Sequence, residues 1–178
     1  MNKISIISFG DVLKGDFGAG CYLIEALAQE NLANNISLIY LAEEAVKADI
    51  WIFKAELAII VQAINLGLKP GKVLYWDYKN FKQHLPWLED QVKTIYPLSQ
   101  ALNRIKLING FPKEIKFIFI QTKQHNCIYI SKEVCRAMRL TIKIIKKELQ
   151  KQNILRANNK IEPIYNLTSL SKEKSWRF

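Results

Sequence analysis

The sequence predicts a three-layer α/β domain with a mostly parallel, five-stranded sheet between helices. Two observations carry this. Short apolar runs rich in Ile, Val and Phe recur along the chain, and segments of helical period separate most of them. The runs also show almost no polar alternation, as expected of strands covered on both faces. A third supports them: 178 residues, 49% hydrophobic, suffice for one domain with a substantial core.

Residues 3–9 (KISIISF) read as the first strand, and a glycine-rich loop follows. Residues 19–30 (AGCYLIEALAQE) read as a helix with Tyr22, Leu23, Ala26 and Leu27 on one face. Residues 36–41 form the second strand, 43–53 a short helix, and 56–62 (ELAIIVQ) the third strand. KPGK at 69–72 is a turn, and KVLYWDY from Lys72 is the fourth strand. Between 79 and 96, Pro86 and Trp87 interrupt any long pattern, and Pro97 follows directly. Residues 98–108 are helical and stop at Asn109-Gly110, a good C-terminal signal. Residues 115–121 (IKFIFIQ) are the fifth strand. Ser131 caps a long last helix with Glu133 in its first turn and an apolar stripe of Val134, Met138, Ile142, Ile145 and Leu149. The domain spans 1–152, and 153–178 reads as a basic, mobile tail.

The formal net charge of +10 is unevenly placed. Residues 131–178 hold 12 Lys/Arg against 4 Asp/Glu, a net of +8, and the first 130 residues carry only +2. Lys132, Arg136, Arg139, Lys143 and Lys147 form a basic face on the last helix. Such a face can meet an acidic protein, nucleic acid or membrane, or simply be solvated. No nucleic-acid motif or interleaved aromatic accompanies it, which disfavours nucleic acid. Three cysteines without CxxC spacing argue against a disulfide framework or structural zinc and fit a reducing compartment. No apolar run approaches the ~20 residues of a membrane helix. A soluble, cytoplasmic protein is expected.

The loop after the first strand is where ligands of open α/β sheets bind. It contains Gly10, Asp11, Gly15, Asp16, Phe17, Gly18 and Gly20. It is neither a dinucleotide fingerprint, which needs G-x-G-x-x-G, nor a P-loop, which needs Gly-Lys-Ser/Thr. Two carboxylates suit a cation better, although Asp11 also fits a turn and Asp16 a helix cap. Cys21 at a helix start and the His125/Cys127 pair are weaker nucleophile candidates, and Ser8, Ser37 and Ser99 lack a nucleophile elbow.

The loop reads Gly10-Asp11-Val12-Leu13-Lys14-Gly15-Asp16-Phe17-Gly18-Ala19-Gly20. It resembles the first motif of the nickel–iron hydrogenase maturation endopeptidases, Gly-Asn-x-Leu-x-x-Asp-Asp/Glu-Gly-x-Gly. Gly10, Leu13, Asp16, Gly18 and Gly20 match at the right spacing. LAIIVQA followed by Pro70-Gly71, and Ile130-Ser131-Lys132-Glu133-Val134, resemble the second and third motifs. Together they cover about residues 3–150. The resemblance implies the fold of that family and a protease that removes a C-terminal peptide from a hydrogenase large subunit. It also implies a metal held by three side chains: the second acid of the first motif, an Asp ending the third strand, and a His in the middle region. Here the first two positions are Phe17 and Gln62, and the sole candidate for the third is His84. Asp16 and His84 are then the residues left for a metal, and no cofactor is expected, nickel or zinc being the alternative. The resemblance with these replacements implies a divergent, non-catalytic protein-binding or assembly factor. The alternative is an active endopeptidase acting on a large subunit or a related complex subunit.

Overall fold

The computed structural model describes residues 3–124 and 126–152 and the backbone of 164–165. The sheet contains β1 (Ile4–Phe9), β2 (Ile36–Tyr40), β3 (Leu57–Ile64), β4 (Val73–Asp77), β5 (Glu114–Gln121) and a two-residue β6 (Ile164–Tyr165). Their order is β4-β5-β3-β1-β2-β6. All pairings are parallel except that of β4 with β5, so the antiparallel strand sits at one edge. The five expected strands are present. The sixth is an addition: Ile164 and Tyr165 pair with Ile39 and Tyr40, inside the segment read as a tail. The remainder of 153–178 lies outside the described residues.

The apolar runs are two-faced. Ile4 and Ile6 of β1, and Leu57, Ile59 and Val61 of β3, pack toward α1 (Ala19–Ala28) and α5 (Lys132–Lys151). Ile7 and Phe9, with Ala58, Ile60 and Phe117, pack toward α2 (Ala48–Ile52), α3 (Tyr78–Gln91) and α4 (Ile95–Leu107). Both faces of the central strands are therefore dry, and their polar residues need internal partners. Ser5 Oγ donates to the Trp51 carbonyl (2.7 Å) and Ser8 Oγ to that of Gly20 (2.9 Å).

Three helical segments differ from expectation. The 43–53 segment is a 3-10 turn, Ala45–Lys47, followed by the single-turn α2. The unreadable 79–96 region contains α3, with Pro86 inside it. The proline forfeits only the bond to the Lys82 carbonyl, on an exposed turn, while Phe81 and Leu88 are buried beneath. Phe81 stacks on Phe117 at 4.0 Å, and this packing outweighs the lost bond. The next helix begins at Ile95 rather than 98, because Pro97 falls in the first turn, where N–H groups lack intrahelical partners. Its end is as read: Asn109 takes φ +52°, and the N–H groups of Asn109 and Gly110 return to the Lys106 and Ile105 carbonyls, a Schellman closure.

Candidate functional site

β1 is the switch point of the sheet, because the chain runs from it to β2 on one side and then crosses back to β3 on the other. The crevice at the carboxyl ends of β1 and β3 is thus the expected place for a ligand. The loop from β1 is shaped by Gly10, whose φ of +135° and approach to the Phe17 carbonyl leave no room for a Cβ, which would lie 1.9 Å from that oxygen. Tyr40 donates to the Gly10 carbonyl (2.5 Å), and the Asp11 side chain accepts from the Leu13 N–H (2.9 Å). Asp11 therefore acts as a turn residue.

Asp16 has a different role from both readings of the sequence. It is fully buried, and its side chain does not cap α1. Its Oδ2 accepts from the backbone N–H of Lys123 (2.8 Å) and Gln124 (3.0 Å) and from Ser131 Oγ (2.9 Å), while Oδ1 accepts from the Ser131 N–H (2.6 Å). Ser131 Oγ in turn accepts from Val134 N–H (3.3 Å) and so caps α5. With both oxygens engaged, Asp16 is a strut between the first loop and the start of α5, and it is not available to a metal. The second motif reaches the same place: Gly71, at φ +76°, lies against the Glu133 backbone, where a Cβ would come within 2.7 Å of the carbonyl oxygen. The three separated motifs thus meet around the N-terminus of α5.

Phe17 and Gln62 face a cleft of about 240 Å³ beside this strut. Its walls are the first loop, Glu43 after β2, the end of β3 (Gln62, Ala63, Asn65) and the α3–α4 junction at 91–94. Gln62 is 4% exposed. Its Nε2 donates to Thr94 Oγ1, and its Oε1 has no partner among the described residues. At the rim Lys14 pairs with Asp11 (3.0 Å) and Glu43 (3.2 Å). His84 is not brought to the cleft. It lies in the middle of α3, stacked on Trp76 of β4 at 4.8 Å, with Nδ1 2.8 Å from the Asn80 carbonyl one turn back. Thr94 and Lys93 supply the third wall in its place. The sequence hid them because Pro86 and Pro97 obscured where one helix stops and the next begins.

A divalent ion does not fit this donor set. Zinc and nickel sites are built from imidazole, thiolate and carboxylate groups. The cleft offers a phenyl ring, one hydroxyl and the neutral amides of Gln62, Asn65 and Gln91, and its carboxylates, Asp11 and Glu43, pair with Lys14. No group of three His, Cys, Asp or Glu suited to a metal occurs among the described residues.

The other candidates are also placed. Burial, with a smaller contribution from Glu25, pushes the Cys21 thiol up to about 12, so it is a core residue of α1 and not a nucleophile. Ser99 Oγ lies 2.6 Å from Glu89 Oε1 and 2.9 Å from the Tyr96 carbonyl, which compete for its one proton, and Cys127 Sγ lies 3.4 Å from the Tyr129 carbonyl. His125 lies outside the described residues. Lys132, Arg136, Arg139, Lys143 and Lys147 are all exposed along α5. No helix among the described residues is long and apolar enough to cross a membrane.

No protein-family model matches the sequence, and no curated protein matches it. Solved structures do. The hydrogenase maturating endopeptidase HybD from E. coli superposes with a TM-score of 0.75 at 16% identity, over 85% of this chain and 94% of that one. The [NiFe] hydrogenase maturation protease HybD from Thermococcus kodakarensis gives 0.66 at 21%, over 82% and 98%. The endopeptidase HycI from Escherichia coli gives 0.61 at 19%, over 82% and 90%. This chain is similar to all three across nearly their whole length. The fold implied by the three motifs is the fold the chain has.

Proposed function

We propose that this chain, built on the fold of the hydrogenase maturation endopeptidases, is a non-proteolytic relative that binds a protein partner as an assembly factor. One observation carries the reading: Phe17 and Gln62 stand together in the switch-point cleft, where the resemblance implies metal-binding acids. An aromatic ring and a neutral amide supply none of the negative charge that holds a divalent cation. Without the ion, recognition of a nickel centre has no basis, whereas the cleft keeps its walls. Phe17 offers apolar contact, the Gln62 amide offers a hydrogen bond, and Lys14, Asp11 and Glu43 form a polar rim suited to a peptide segment. The partner is a hydrogenase large subunit or a subunit of a related complex, met in the cytoplasm.

The test uses a large-subunit precursor with its C-terminal extension, incubated with the purified chain with and without nickel. A stable complex on size exclusion, with the precursor's intact mass unchanged, is expected. Loss of the C-terminal peptide would overturn the proposal and establish the active endopeptidase. That second reading has one observation in its favour, the intact convergence of the three motifs at the start of α5.

A further inference from the structure

The basic face of α5 has a structure that composition alone does not reveal. Lys132, Arg136, Arg139, Lys143 and Lys147 are spaced by four, three, four and four residues. At 3.6 residues per turn they fall within an arc of about 80° and extend about 22 Å along the helix. Among the described residues none of the five makes an ion pair, although other cations of the same helix do. Lys146 reaches Glu30 (2.7 Å) and Lys151 reaches Glu148 (2.6 Å). Both acids of the helix are engaged as well, Glu133 by Lys123 (2.8 Å) and Glu148 by Lys151. The opposite face, including Val134, Met138, Ile145 and Leu149, is buried against the sheet, which fixes the stripe outward. The sequence after α5 is itself net basic, with five Lys/Arg against two Asp/Glu in 153–178.

Beside the stripe sits Leu140, 50% exposed, one turn from Arg136, with the half-buried Ile144 one turn beyond. The charges also recur about once per helical turn, the spacing at which a second helix presents carboxylates at i, i+4, i+7 and i+11. Nucleic acid would use the cations equally, but the exposed face of α5 has no aromatic on which a base could stack. We infer that the exposed face of α5 is a docking surface for an acidic amphipathic helix of a partner protein. The stripe pairs with its carboxylates, and Leu140 and Ile144 cover the apolar flank. This surface is separate from the switch-point cleft, and its test does not depend on the cleft's role.

The experiment is fluorescence anisotropy with the full chain and three labelled probes. They are a synthetic helical peptide with Glu at that spacing and Leu on the adjacent edge, a peptide of the same composition in scrambled order, and a single-stranded DNA of equal charge. The patterned peptide is expected to bind about tenfold more tightly than the scrambled one. It should weaken as salt rises, and it should lose its advantage in Arg136→Glu/Arg139→Glu/Lys143→Glu and, through the apolar edge, in Leu140→Ser. Circular dichroism confirms that the exposed substitutions leave the fold unchanged. Equal binding of the two peptides, or tighter binding of the DNA, overturns the inference, as does no binding by any probe at low salt.

Discussion

Replacing Asp16 tests the account of the first loop most directly. The wild-type carboxylate accepts four hydrogen bonds in a fully buried position, three on Oδ2 and one on Oδ1. Asp16→Ala removes the acceptor and leaves three backbone N–H groups and a hydroxyl without their partner. Hydrogen bonds to a charged group contribute roughly 1.5–3 kcal/mol each, and a buried donor left unpaired costs about 1–3 kcal/mol. The four bonds share one group and do not add, so the expected loss is about 4 kcal/mol. For a chain of this size that is about 10 °C in Tm. Asp16→Asn keeps the shape. With its carbonyl at the Oδ2 position it retains three bonds and turns an NH2 toward the Ser131 N–H, a loss of about 2 kcal/mol. Urea unfolding followed by circular dichroism measures both, with an unchanged slope showing that only stability has moved. If Asp16→Asn costs under about 0.5 kcal/mol, or if both variants cost the same, Asp16 is not the strut described here.

Four further outcomes are expected. Ser131→Ala loses the α5 cap and one bond to Asp16, costing about 1–2 kcal/mol; in Asp16→Ala the same change costs clearly less, and full additivity in a double-mutant cycle would show that the two do not act together. Phe17→Glu/Gln62→Asp gains affinity for nickel or zinc by calorimetry while the wild type shows none, and wild-type binding as tight as the variant's would sink the account of the cleft. Gln62→Leu changes stability by under about 1 kcal/mol, since losing the bond to Thr94 is offset by removing a buried unpaired oxygen; a denaturation midpoint shifted by several times that would show that the amide is fully satisfied. The folded Cys21 thiol keeps its proton to about 12, above its ordinary value of 9.0. The unfolded chain releases that proton first, so this contribution is complete below about pH 9 and falls as pH rises toward 12. Wild type should therefore lose stability more steeply than Cys21→Ala across that window, and parallel curves would show that Cys21 is not desolvated.

The sequence alone determined the layers. Short, unalternating runs rich in β-branched residues, such as LAIIVQA, read as strands covered on both faces, and the stripe from Val134 to Leu149 reads as a helix packed on one side. The caps were local and therefore readable: Ser131 bonds a residue three positions away, and Asn109-Gly110 closes the turn that precedes it. The site was legible only as a loop with the wrong residues in it. That Phe17 meets Gln62, and that Asp16 is spent on Ser131 115 positions away, depends on how β1, β3 and α5 are laid side by side. His84 marks the same limit from the other side. The resemblance offered it as the third ligand, but Pro86 and Pro97 hid the helix that carries it, and the ring stacks on Trp76 instead. Local chemistry fixes which element a residue belongs to. Which side chains share a cavity is decided by strand order, because parallel crossovers bring together residues that no sequence window contains.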